Sequence, residues 1–163
     1  HAYWRQKGLP TVIVRLFNTV GPSQVGHYGM VIPRLVQQAL VNDPLTVFGD
    51  GSQMRCFCHV EDVTEALIGL ASESAAEGQV FNVGGRQEIS IYDLAVRIKT
   101  ILGSSSEIVF IPYERAYEAG FEDMQRRRPD ISKVSAALGW SPQRTLSEII
   151  EGVANDISSR THM

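Results

Sequence analysis

Val12-Ile13-Val14-Arg15-Leu16-Phe17-Asn18-Thr19-Val20-Gly21-Pro22 is the stretch from which the fold is read. Its front is apolar and β-branched over the length of a strand, its back is a polar Asn-Thr pair, and Gly21-Pro22 closes it. A short apolar run bounded by a turn signal reads as a buried strand. In open α/β sheets ligands collect at the carboxyl ends of strands, which puts Asn18 where a site would be built. Taken alone, these residue types favour an ordinary core strand with a polar exit.

Outward from that strand, composition sets the bounds. The chain of 163 residues is one domain by length, enough to bury roughly two-thirds of its unfolded surface. With 44% hydrophobic and 20% charged residues it has the make-up of a soluble globular protein. A net charge of −3 gives no electrostatic argument for nucleic acid or a membrane surface. No apolar run approaches the roughly 18 residues of a membrane span and no signal peptide is visible, so a cytoplasmic location is expected. Cys56 and Cys58 form a lone Cys-x-Cys without the second pair a zinc site needs. Free, reduced thiols and no metal site are expected. Because the chain opens at His1 rather than Met, it reads as a fragment.

Taken in order, residues 1–7 read as the tail of a helix, residues 11–17 as the strand, and residues 21–29 as a loop with three glycines and a proline. Met30 to Val41 carries apolar residues at amphipathic helical spacing, with Pro33 in the first turn. Leu45 to Gly49 alternates as a short strand and Asp50-Gly51 turns it. Residues 55–60 read as one further strand, after which Glu61-Asp62 opens a helix to about Ala71. Val80 to Val83 is a strand closed by Gly84-Gly85. Ser90 caps a helix from Ile91 to Leu102, with Asp93 as an acidic variant of the capping box. Residues 107–111 alternate weakly, and a polar region at 113–130 holds Glu114, Glu118, Glu122, Asp123 and then Arg126-Arg127-Arg128. A short helix at 131–138 ends at Gly139, and a last helix capped by Thr145 runs from Leu146 to about Ile157. One unit of short strands and helices is the simplest architecture.

Five blocks then carry a resemblance. Arg15-Leu16-Phe17-Asn18-Thr19-Val20-Gly21-Pro22 is similar to the Arg-x-x-Asn-x-x-Gly-Pro segment of the extended short-chain dehydrogenase/reductases that act on nucleotide sugars. The likeness continues through Pro44–Gly51, His59-Val60-Glu61-Asp62-Val63, Phe81–Gly85, and Pro129–Lys133 with Leu138-Gly139-Trp140. These blocks resemble the C-terminal portion of that family only. The fold class implied is α/β: the C-terminal substrate-binding lobe of an extended dehydrogenase/reductase, with the N-terminal Rossmann half absent. Residues 1–22 would be the end of the Rossmann portion and 23–163 the nucleotide-sugar lobe. No Gly-x-x-Gly-x-x-Gly loop for the NAD pyrophosphate occurs, Gly84-Gly85 being the only glycine pair. The family's catalytic Tyr-x-x-x-Lys falls ahead of residue 1. Tyr3 and Lys7 have that spacing but abut Gly8-Leu9-Pro10, a helix stop, and are read as non-catalytic.

What the resemblance implies for the site is a set of substrate-binding residues and no catalytic ones. Arg55 and Arg127 match arginines that hold the diphosphate, a task suited to the planar guanidinium fork. Strand alternation would turn Arg127 away from Arg126 and Arg128. Asn18 matches an Asn that donates its amide to a phosphate. Thr46 and Phe48 lie on the strand that reads the pyrimidine, through backbone groups and ring packing. Met30 and Val31 match positions that meet the nucleotide through backbone amides, and Phe17 offers a backbone contact to the cofactor. The family's Asp after Arg55 is replaced by Cys56, which bears on the hydrogen bonding around that arginine. His59 and Asp62 form a tempting base–carboxylate pair, but the His-Val-x-Asp block is read as structural.

The function implied is the UDP-sugar-binding part of an NAD-dependent epimerase, dehydratase or decarboxylase, UDP-glucose 4-epimerase-like first and UDP-glucuronate decarboxylase-like beside it. The parent enzyme would use NAD, while this chain alone would neither bind it nor catalyse. The rival is a stand-alone, non-catalytic module that self-associates through apolar surface along residues 11–17 and 1–7.

Overall fold

The computed structural model describes residues 1–24, 30–113 and 124–161. The expected loop at 21–29 therefore falls partly, and the acidic residues Glu114, Glu118, Glu122 and Asp123 wholly, outside the described residues. The architecture is α/β, built from short strands and helices.

Helix α1 (Ala2–Lys7) stops at Gly8, which takes the left-handed conformation that ends a helix without a Cβ penalty. Strand β1 (Ile13–Leu16) runs parallel to β6 (Val80–Val83), with Ile13 opposite Val80 and Leu16 opposite Val83. Two residues later the chain changes partner: β2 (Thr19–Val20) is parallel to β5 (Cys58–His59). Strand β3 (Leu45–Phe48) is parallel to β8 (Ile108–Ile111). A third group centres on β4 (Met54–Cys56), antiparallel to β7 (Glu88–Ser90) on one edge and parallel to β9 (Arg126–Arg127) on the other.

The helices pack these strands into two apolar clusters. In the first, helices α2 (Val31–Leu40) and α4 (Ile91–Leu102) close over β3, and α6 (Leu146–Thr161) packs on both helices. Ile32, Leu35, Val36, Leu45, Val47, Leu94, Ile98 and Ile150 are fully buried there. The second gathers Val63, Ala66 and Leu70 of α3 (Val60–Ser72), Phe81 and Val83 of β6, Val134 of α5 (Ser132–Leu138), and Trp140. Caps read from sequence are in place. The Asp93 N–H donates to Ser90 Oγ at 2.9 Å, and the Glu148 N–H to Thr145 Oγ1 at 3.3 Å, while Glu148 accepts the Thr145 N–H at 2.7 Å. Each cap satisfies amides the helix cannot pair, worth about 1 kcal/mol.

Four expectations need correction. The opening strand, expected to be buried, is half-buried at Ile13 and Val14 and exposed at Arg15 and Leu16, because among the described residues only β6 pairs with it. The strand expected at 55–60 is two strands broken at Phe57, because Gly85 lies directly under the Phe57 backbone; a Cβ there would strike the Phe57 carbonyl oxygen. The strands β2 and β7 were not anticipated, since both are too short to show an alternation. Finally, α6 continues past Ile157 to Thr161.

Among the described residues no helix is long and apolar enough to cross a membrane, and no group of three or more His, Cys, Asp and Glu side chains could hold a metal.

Candidate functional site

Asn18 is the pivot of the partner change between β1 and β2. Its φ of 30° lies in the left-handed region, which Asn tolerates better than branched residues. Here it turns the chain from β6 towards β5. On one side the Phe17 N–H still donates to the Val83 carbonyl at 3.0 Å. On the other, the Asn18 carbonyl accepts the Cys58 N–H at 3.2 Å and its side-chain Nδ2 donates to the Cys56 carbonyl at 2.8 Å. An amide has two N–H donors, so this bond does not exhaust the side chain. For Phe17, the N–H is committed to the ladder, which leaves the carbonyl as the backbone group for any cofactor contact.

The three-stranded sheet brings the arginines to this pivot. Arg127 is directly opposite Arg55 in the parallel β4–β9 pair, so both side chains leave the same face. The Arg127 guanidinium lies over the Phe17 ring, 5.3 Å from its centroid. Its neighbours take the other face. Glu88 accepts two hydrogen bonds from Arg126, at 2.7 and 2.6 Å, and lies 3.6 Å from Arg128. Those bonds hold the Glu88 carboxyl below the usual carboxylate range and push the Arg126 guanidinium up. The alternation expected of the arginine triple is therefore present. Arg86, Arg126, Arg128, Asp130 and Ser132 border an open cleft of about 670 Å³.

Arg55 donates through Nη1 to the carbonyls of Met54 at 2.8 Å and Met124 at 2.7 Å. Both acceptors are backbone, so the change from Asp to Cys at position 56 leaves these bonds untouched. Cys56 itself is buried and stands opposite Glu88 in the antiparallel pair. Burial, then the Glu88 charge, raises its thiol pKa. Burial pushes the Cys58 thiol up to about 12, with the Asp62 charge adding to it. Both cysteines are free.

The strand expected to read a base is engaged by α2. Thr46 donates its N–H to Gln38 Oε1 at 3.1 Å, and its carbonyl accepts from Arg34 Nη1 at 2.7 Å. Arg34 also bonds Thr46 Oγ1 and lies over the Phe48 ring, 4.5 Å from its centroid. Met30 sits at the uncapped start of α2, its sulfur accepting from Gln24 at 3.5 Å, and Val31 packs partly into the first cluster. Arg34 and Gln38 went unnoticed in the sequence, although their spacing of four on one helix puts them on one face.

His59 and Asp62 hold the fold. The Glu61 N–H donates to His59 Nδ1 at 3.1 Å, making the ring an N-cap. Asp62 is fully buried and accepts the Gln143 and Arg144 N–H groups at 3.2 and 3.1 Å, together with the Arg144 guanidinium. Its own carbonyl accepts from Trp140 Nε1 at 3.0 Å. The His-Val-x-Asp and Leu-Gly-Trp blocks are thus two halves of one contact. Tyr3 and Lys7 lie against each other on α1, the ammonium 5.7 Å from the ring centroid, with Tyr3 exposed.

Gly84 and Gly85 are packing glycines: a Cβ on Gly84 would meet Phe17 Cβ at 2.7 Å and Pro129 Cγ at 3.0 Å, and one on Gly85 would strike the Phe57 carbonyl oxygen, so this pair offers no cradle for a pyrophosphate.

Residues 1–84 match the model of the NAD dependent epimerase/dehydratase family. The chain is 42% identical over 137 residues to UDP-N-acetyl-alpha-D-glucosaminuronate decarboxylase of Bacillus cytotoxicus, covering 83% of this chain and 42% of that protein. It is 37% identical over 148 residues to UDP-glucuronic acid decarboxylase 1 of Xenopus tropicalis, covering 91% of this chain and 33% of the relative. The fold matches UDP-glucuronic acid 4-epimerase of Bacillus cereus, solved with UDP-glucuronic acid and NAD, with a TM-score of 0.86 and 30% identity over 98% of this chain and 49% of that one. The chain thus spans between a third and a half of the length of these relatives. The Arg-x-x-Asn-x-x-Gly-Pro strand, the paired arginines and the Asp62–Trp140 contact sit in a chain that belongs to the NAD dependent epimerase/dehydratase family.

Proposed function

We propose that this chain forms the UDP-sugar-binding part of an NAD-dependent UDP-uronate decarboxylase or 4-epimerase. The observation that carries the reading is the gathering of Arg55, Arg127 and Asn18 at the carboxyl end of β1, with Arg127 lying over Phe17. Two guanidinium groups leaving one face suit a diphosphate, because each planar fork can hold two oxygens. Asn18 adds a directed donor without further charge.

Thr46 and Phe48 take the base in this reading, and Met30 and Val31 contribute the amides at the start of α2. The contacts now made to Thr46 are informative: Gln38 presents an acceptor to its N–H, and Arg34 a donor to its carbonyl. A uracil edge carries the same acceptor and donor side by side, so the base would replace these two side chains. UDP-glucose 4-epimerase activity, the narrower expectation from sequence, gives way to uronate substrates because the relatives above act on them. Redox chemistry at the sugar belongs to the cofactor, and none of these residues is assigned to it.

The test is a calorimetric titration of the full-length protein with UDP, repeated on Arg55→Ala and Arg127→Ala. Each substitution should weaken binding by about 1.5–3 kcal/mol, the worth of a hydrogen bond to a charged group. Binding that neither substitution weakens sinks the assignment.

A further inference from the structure

We infer that Glu88 is a positioning residue for the diphosphate, acting through the strand that carries Arg127. This rests on the nucleotide-site reading above. Strand β9 is only Arg126–Arg127, and two residues of ladder do little to fix a backbone. What anchors it is Glu88 on β7, across β4. The carboxylate takes both Arg126 donors at 2.7 and 2.6 Å and sits 3.6 Å from Arg128. The two arginines flanking Arg127 are thereby held on one face. Because neighbours in a strand alternate, pinning positions 126 and 128 to one side turns 127 to the other. There it opposes Arg55 and lies over Phe17.

Glu88 is suited to this by its surroundings. Its side chain is 15% exposed, against 65% for Arg126 and 55% for Arg128, so the fixed partner is the carboxylate and the arginines are drawn to it. A chelated, charge-assisted pair of this geometry is directional as well as attractive. The far side of β7 continues into Ser90, the cap of α4, which ties the anchor to the first apolar cluster.

The sign of the effect separates this role from a bulk charge effect. Removing a negative charge near a diphosphate site strengthens anion binding by field alone. Removing an anchor weakens it. UDP and uridine are titrated into the full-length protein and into Glu88→Gln, Glu88→Asp, Arg127→Ala and the Glu88→Gln/Arg127→Ala pair, with folding checked by circular dichroism. The expected result is UDP affinity roughly fivefold to tenfold lower in Glu88→Gln, with uridine affinity unchanged. Glu88→Asp, which keeps the charge and loses the reach, should weaken UDP as well. In the Arg127→Ala background Glu88→Gln should cost nothing further, as coupling through one residue requires. Unchanged or tighter UDP binding in both single Glu88 variants overturns the inference, as does a loss that persists without Arg127 or extends equally to uridine. Failure of the unsubstituted protein to bind UDP overturns the nucleotide-site reading itself, and this inference with it.

Discussion

Around Asp62 a buried carboxylate is answered from within the fold, by two backbone N–H groups and one guanidinium. On the β7–β4–β9 sheet the arrangement is reversed. Three consecutive arginines stand on the surface, two of them share Glu88, and the third rests on an aromatic ring. The first region encloses the Asp62 carboxylate and thereby fixes how α3 meets the segment before α6. The second leaves cationic groups facing outward, where a phosphate can use them. A charge satisfied inside the molecule contributes to stability, and a charge held in place but still accessible can serve binding.

The comparison breaks most sharply at Asp62. Asp62→Ala should destabilise the protein by about 1–3 kcal/mol for each of the two amides it orphans, while Arg144 keeps Glu61 and Glu65 as partners. Urea unfolding measures this, and UDP affinity in the folded fraction should stay unchanged. A mild loss of stability, or a large loss of affinity, would mean the two regions are not separate. Gly85, where the sheet meets the second cluster, comes next. Gly85→Ala drives a Cβ into the Phe57 carbonyl, and overpacking of this kind costs about 1–3 kcal/mol. Thermal unfolding reads it, and UDP affinity should fall too, since Phe57 follows directly on the strand that carries Arg55.

The smallest expected effect concerns the thiols. Burial raises both cysteines, Cys58 to about 12, so at pH 8 the neutral thiol dominates at each. Alkylation of the native protein should be slow at both and become fast on unfolding. Fast native labelling of Cys56 with protected Cys58 would show that the sheet region opens independently of the Asp62 region.

Much of this was legible in sequence wherever a local rule applies. Ser90 with Asp93, and Thr145 with Glu148, announce their helices because a cap acts over three residues. Val80–Val83 and Ile91–Leu102 appear as read, since each has a clear pattern and a clear stop. The opening strand was legible as a strand ending in polar residues, but its exposure and the role of Asn18 as a change of partner were not. That role depends on Cys56, 38 residues away. Glu88 carried no signal either: it is 38 residues from Arg126, on a strand too short to alternate. The same holds for Gln38 and Arg34 against Thr46, where helix spacing gave the face but not its target.

The sequence by itself determined the family, through motif blocks in order, and the helices and their caps, through periods and stops acting over a few residues. It also determined that Arg127 would part from its neighbours, because alternation is a local property of any extended chain. Tertiary structure alone decided what each side met: Phe17 and Arg55 on one face, Glu88 on the other. It alone joined Asp62 to Gln143, 81 residues on, and so supplied the partners behind the structural reading of the His–Asp block. Such pairings follow from strand register and from which faces the two clusters bury, and no local rule of sequence reaches that far.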